Sequence, residues 1–364
     1  MRDILEDSIQ RLLADHVTPA LLRESEKGAM ATAVWQLIED LGFPHALVRE
    51  SAGGSGLAWA DVYPLVMACG QHGLPLPLPE TILAAWLLDQ TGLTVPSGAL
   101  SIVDTTGTTG VQATRTPQGW QLDGVLPLVP WGRYARHAVL EVRVDGAPHL
   151  ALVDLAGLPC REDLNLAREP RDCIDLQGSP AVSLAPVPQA LGESPIRLYG
   201  AMLRCAQMAG AMERLVQQSI QYAGDRIQFG KAIGKFQAIQ QQLAVLGCES
   251  AATAAGAAFA FDQAGAATAS FAIAAAKARA GEAAGKAASI AHAVHGAIGF
   301  TYEHSLHFMT RRLWSWRSEF GHHGWWSRQI GAAICTSDQP FWSCVTAGEI
   351  DIFPPIQANP AETP

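Results

Sequence analysis

Residues 225–246 read DRIQFGKAIGKFQAIQQQLAVL, and the rest of the chain is interpreted outward from them. The segment starts as the end of one helix and becomes the start of another. Gly230 and Gly234 punctuate the join, where glycine lets the backbone turn at little steric cost. Beyond it, Phe236, Ile239, Gln240, Leu243 and Leu246 recur at helical spacing. Arg226 supplies a permanent cation and a planar fork of donors suited to phosphate. Phe229 places an aromatic face three residues on. Together they could grip an anionic cofactor that carries an aromatic ring. The competing interpretation is a plain helical hairpin with a surface Arg and a core Phe.

The run RIQFGKAIGKFQAIQQQLA, residues 226–244, resembles the acyl-CoA dehydrogenase signature R-x-x-F-G-x-x-I-x-x-F-Q-x-I-x-x-x-L-A. In that family the Arg and Phe hold the FAD of a neighbouring subunit. The resemblance therefore implies cofactor roles for Arg226 and Phe229, with Gln237 beside them. It also implies an acyl-CoA substrate, a homologous subunit in a dimer or tetramer, and an electron-transfer flavoprotein as acceptor.

The chain has 364 residues, enough for two or three packed layers or domains around a large core. Hydrophobic residues make up 49% and charged residues only 16%, which points to surface buried between subunits. A net charge of −9 argues against a nucleic-acid partner held by phosphate contacts. The seven Cys are scattered, with no CxxC pair or zinc-like cluster, which fits a reducing, cytoplasmic setting. The opening MRDILEDSIQRLLADH lacks an apolar signal core. No run of about 20 uninterrupted apolar residues predicts a membrane span.

Residues 1–97 are expected to form an N-terminal helical domain. Gly53, Gly54 and Gly56 are expected in a loop between helices rather than in a phosphate cradle. Around residue 98 short apolar runs begin to alternate with turns, so 98–193 is expected to be a β domain. Pro117-Gln118-Gly119, Asp123-Gly124 and Asp145-Gly146 are the expected hairpin breaks. Residues 194–346 return to helix, with long Ala-rich stretches broken near Gly265. Within them Lys277, Arg279, Glu282 and Lys286 are expected on a solvated face. An extended, Pro-containing tail is expected over 347–364. The helix–sheet–helix order is the acyl-CoA dehydrogenase arrangement: an α+β fold with a barrel-like central sheet and a C-terminal four-helix bundle.

The β domain departs from the family. A T-E-P-x-A-G-S-D motif is replaced by VDTTGTTGVQA. Pro130 falls where a hydroxyl residue should bond the flavin, and proline has neither hydroxyl nor N–H. The neighbouring Trp131 either packs on a flavin or sits in the sheet. Further on, residues 291–312 read AHAVHGAIGFTYEHSLHFMTRR and resemble the family's Q-V-H-G-G-I-G-F-T-W-E-H-D-L-H. Gly296 matches there. Ala293 and Ala297 replace the Gln and the second Gly that approach FAD across the dimer. The spacing of His292, His295, His304 and His307 does not favour a metal site.

Dehydrogenation of a thioester needs a carboxylate to take the α-proton while the flavin takes the β-hydride. Counting along the family loop puts Phe320 at the base position, with Glu319 one residue early. The other family position for the base, on the helix before R-x-x-F-G, is Gly200. Glu319 is the candidate catalytic residue, set against an ordinary surface Glu near Arg317. Residues 302–307 and 316–321, YEHSLH and WRSEFG, resemble the branch that acts on steroid side chains as heteromers. The chain is thus expected to be an active dehydrogenase, a non-catalytic subunit paired with an active relative, or a scaffold without flavin.

Overall fold

A computed structural model describes residues 2–106, 111–348, 350 and 352. Five helices come first: α1 Arg2–His16, α2 Pro19–Glu26, α3 Thr32–Asp40, α4 Trp59–His72 and α5 Leu78–Gln90. The helix α5 is buried nearly all round, as its almost continuous apolar sequence requires.

Nine strands follow: β1 Leu100–Val103, β2 Gln112–Thr116, β3 Gly119–Asp123, β4 Val125–Pro130, β5 His137–Val144, β6 Ala147–Asp154, β7 Cys160–Arg161, β8 Arg171–Asp175 and β9 Ser179–Pro186. They form a six-stranded sheet of order β1-β5-β6-β9-β3-β2 and a three-stranded sheet of order β4-β8-β7. Period-two alternation divides the core. Ala138, Leu140, Ala151 and Val153 face the second sheet, while Val139, Leu150 and Leu152 face the helices. The 117–119 and 145–146 breaks are hairpins, β2 to β3 and β5 to β6. Asp123-Gly124 is not: β3 pairs with β2 and β9, and β4 departs to the other sheet. Glycine at φ +123° allows that change of sheet.

The central helix α6 spans Pro195–Asp225, with Pro195 at its first turn, where the missing N–H costs nothing. It crosses α4 at backbone contact. A Cβ on Gly70 would lie 2.0 Å from the Gln207 carbonyl oxygen, and one on Gly210 would lie 2.0 Å from that of Met67. A two-stranded hairpin, β10 Ile227–Gln228 and β11 Lys231–Ala232, leads to α7 Gln237–Asp262 and α8 Ala269–His295. Three more helices follow: α9 Leu306–Trp316, α10 His323–Thr336 and α11 Phe341–Ala347. The last of these falls partly within the expected tail. Residues 349, 351 and 353–364 of that tail lie outside the described residues.

By length and composition α7 is long and apolar enough to cross a membrane, although Gln, Glu, Ser and Thr interrupt its apolar residues. In the fold it packs against α6 and α8, and its Glu249 pairs with Arg279 and Lys286 of α8.

Candidate functional site

The β10–β11 hairpin and the turn to residue 236 form an arm at the C-terminal end of α6. Its footing is backbone. The Arg226 amide donates to the Tyr222 carbonyl at 2.9 Å, and the Ile233 amide donates to the Arg226 carbonyl at 2.8 Å. Phe229 sits at φ +52°, a left-handed conformation that non-glycine residues rarely adopt. Its ring is 92% exposed. Arg226 and Gln237 are exposed as well. Lys231 Nζ lies 4.3 Å from the Phe236 ring centroid. Gly296, exposed at φ +62°, follows the end of α8, where His295 stacks on Tyr222 at 4.6 Å. The ends of α6 and α8 therefore meet, and Arg226, Phe229, Gln237 and Gly296 are presented outward around that junction.

A second locus lies between the β domain and the C-terminal helices. A cavity of about 600 Å³ is lined there by Ile102, Pro127, Pro130, Arg171, Glu319 and Phe320, among others. Trp131 is not among its lining residues. It is buried at φ +57°, its amide donates to the Pro170 carbonyl at 3.0 Å, and its ring tilts over Tyr134. Trp131 lies in the turn that follows β4, buried away from this cavity. Gly107–Gly110, in the stretch that replaces the family's acidic motif, lie outside the described residues.

Glu319 is not a surface residue beside Arg317. Its Oε1 accepts from Arg171 Nε at 2.9 Å and Asn165 Nδ2 at 3.1 Å. Its Oε2 accepts from Arg171 Nη2 at 3.0 Å and Arg204 Nε at 2.7 Å. The chain of charges continues on both sides. Arg204 Nη2 donates to Glu80 Oε1 at 2.6 Å, and Arg171 Nη2 donates to Glu169 Oε2 at 3.2 Å. Glu169 also accepts from Trp316 Nε1 at 3.0 Å and pairs with Arg312 at 3.1 Å. Three carboxylates thus alternate with three guanidiniums across α5, α6, α9, the loop after α9, and β8 with the segment before it. Burial pushes the Glu319 carboxyl up, but Arg171 and Arg204 outweigh this and hold it well below the usual carboxylate range. A proton acceptor needs the opposite: a free oxygen and an affinity for protons near the working pH.

The two family positions for the base converge in space. A Cβ on Gly200 would lie 2.6 Å from Phe320 Cδ1, so the Phe320 ring rests directly over the Gly200 backbone. Phe320 is 7% exposed and sits at φ +52°. Arg204 Cζ is 5.4 Å from its ring centroid. The two positions at which the resemblance implies a carboxylate are thus filled by glycine and by the ring packed on it.

Lys277, expected on a solvated face, is fully buried. Its Nζ donates to the carbonyls of Trp316 at 3.3 Å, Arg317 at 2.9 Å and Gly321 at 2.9 Å. It therefore gathers the loop that carries Glu319 and Phe320. Burial lowers its pKa to about 8, while the three carbonyl acceptors match the three donors of an ammonium. Sequence reasoning missed Lys277, Arg171 and Arg204. The available signal was Arg204 itself, a charge inside the apolar run MLRCAQMAGAM of α6.

The residues of the arm fit a bound FAD, and Asn165, Arg197 and Ser318 also line the cavity. The arm offers a guanidinium, an exposed ring and an amide to a group held by another chain. On the cavity side, Pro127 and Pro130 offer no side-chain donor, and the Pro130 carbonyl already accepts from Ser101 Oγ at 2.5 Å.

Residues 198–332 match the family model for the acyl-CoA dehydrogenase C-terminal domain. The acyl-CoA dehydrogenase IpdE2 of Mycobacterium tuberculosis is 29% identical over 318 residues, covering 85% of this chain and 90% of that protein. The crystal structure of the ChsE4–ChsE5 complex from Mycobacterium tuberculosis superposes with a TM-score of 0.82 at 22% identity, over 93% of this chain and 98% of that one. The Tcur3481–Tcur3483 steroid ACAD superposes with a TM-score of 0.82 at 24% identity, over 92% and 97%. At these identities the solved structures establish the fold, which is the expected one of N-terminal helices, central sheets and C-terminal bundle. With the signature arm, the family-model match over residues 198–332 and the curated relative taken together, the chain has the acyl-CoA dehydrogenase fold and resembles members of that family, a steroid ACAD among them.

Proposed function

We propose that this chain is a subunit of an acyl-CoA dehydrogenase assembly that does not itself supply the proton acceptor, and that its arm completes the FAD site of a homologous partner subunit. The observation that carries this is the Phe320 ring seated on Gly200, which fills both family positions for the base. FAD, when bound, supplies the acceptor for the β-hydride of an acyl-CoA thioester. What this chain contributes is binding: Arg226 neutralises phosphate charge, Phe229 and Gln237 orient the group, and Gly296 lets a neighbour approach without a side chain in the way.

The heteromeric ChsE4–ChsE5 structure supports a related subunit as the partner, and the steroid ACAD supports a steroid side-chain thioester as the assembly's substrate. The family supports an electron-transfer flavoprotein as electron acceptor. Seven free cysteines favour a reducing compartment, which we take to be the cytoplasm. The competing role, Glu319 as catalytic base, is supported by its place on the cavity wall, but would require it to leave both Arg171 and Arg204.

The test is co-expression and co-purification with a homologous acyl-CoA dehydrogenase subunit of the same organism, followed by flavin quantitation and turnover of acyl-CoA thioesters with an artificial acceptor. The expected result is about one flavin per two chains, no turnover by this chain alone, and turnover by the pair. Turnover by this chain alone, with one flavin per chain, would overturn the proposal.

A further inference from the structure

The arm stands on Tyr222 and Ala223. Its first amide, on Arg226, is bonded to the Tyr222 carbonyl, and at its far end a Cβ on Gly234 would lie 3.1 Å from the Ala223 carbonyl oxygen. Tyr222 and Ala223, consecutive residues of the last turn of α6, thus lie beneath the two ends of the arm.

Two histidines hold Tyr222. The His295 ring stacks on it with centroids 4.6 Å apart and planes 24° apart. His304 meets it edge-on at 6.3 Å and meets His295 at 4.8 Å. His295 Nδ1 donates to the Ala291 carbonyl at 2.8 Å, so the neutral ring carries its proton there. Its Nε2 is buried and has no hydrogen-bond partner. His304 Nδ1 accepts from the Leu306 amide at 3.1 Å, so its proton sits on Nε2.

Protonating His295 puts a buried N–H where no acceptor faces it and a second positive ring beside His304. An unmet buried donor is destabilising, and a buried charge more so. The titratable and charged groups around the pair are His292 of α8, Tyr222, and Arg214 and Asp225 of α6, which line the small cavity beside His304. No carboxylate among the described residues bonds either ring to compensate a charge there. Burial holds both imidazoles below the ordinary histidine range.

We infer that the His295–His304 pair stacked on Tyr222 is an acid-operated latch, whose protonation frees Tyr222 and with it the footing of residues 226–236. The inference builds on the proposed role of the arm, but it is tested in the isolated chain, where neither partner nor flavin enters. Hydrogen–deuterium exchange, corrected for intrinsic rates, is followed from pH 7.5 to 5. Protection of the Arg226 and Ile233 amides is expected to fall at least about tenfold while that of α8 residues 280–288 holds, the scale of losing about 1.4 kcal/mol of local stability. The double variant His295→Phe, His304→Phe keeps the rings and removes the protons, and should abolish the acid step. A wild-type arm that stays equally protected at pH 5, or an acid step that survives in the double variant, overturns the latch. Should the double variant not fold, an NMR titration of His295 in the wild type decides the matter. A midpoint below that of a free histidine is expected, and one at or above it overturns the proposal.

Discussion

Replacing Glu319 with Gln separates a structural carboxylate from a catalytic one. The side chain keeps its shape and loses its charge. Around it, Glu80, Glu169 and Glu319 balance Arg171, Arg204 and Arg312, and after the change two anions face three cations. Removing one partner of a buried ion pair costs about 3–5 kcal/mol. The lower end applies here, because the Glu319 side chain is 19% exposed and the two arginines keep Glu80 and Glu169. We expect a loss of about 3 kcal/mol in urea unfolding. In the partnered assembly, turnover should stay within about twofold, whereas loss of a true general base costs about 100- to 10,000-fold. The same carboxylate gives a signed pH dependence. Its folded pKa lies below its unfolded value, so its contribution is present above the ordinary carboxylate range and is lost as pH falls through and below it. The Gln variant should lack that portion of the acid destabilisation. A variant that unfolds like wild type yet loses turnover about 1,000-fold would refute this reasoning and restore Glu319 as the base.

Other substitutions probe neighbouring parts of the argument. Arg226→Ala in this chain should leave its own melting curve within about 0.5 kcal/mol, since the side chain is exposed, while lowering the flavin content of the assembly measured by absorbance. Gly200→Ala pushes a methyl into the Phe320 ring and should cost about 1–3 kcal/mol by denaturant unfolding, with relief on adding Phe320→Leu. Lys277→Met leaves three loop carbonyls without their donor and should cost about 2–3 kcal/mol, with faster proteolysis at residues 317–321.

Local pattern determined much of this protein. The short apolar runs of β5 and β6, the hairpin break at Asp145-Gly146 between them, and the Arg-Phe-Gly arm all follow from nearest-neighbour chemistry, so they were legible in the sequence. The altered positions at Pro130, Gly200 and Phe320 were legible as well, each as a departure taken singly. What the sequence did not contain was their convergence. Gly200 and Phe320 are far apart in the chain, and only the packing of α6 against the loop after α9 sets one ring on the other's backbone. Charges were misplaced for the same reason. Lys277 and Glu319 each look solvated among small or polar neighbours, because burial of a charge depends on partners brought from distant segments: Arg171, Arg204 and the carbonyls of residues 316–321. The sequence alone thus carried the family resemblance, the arm and the departures at Pro130, Gly200 and Phe320. The tertiary structure decided that the remaining glutamate is held by two arginines, because an ion pair exists only where the fold brings its two halves within about 3 Å.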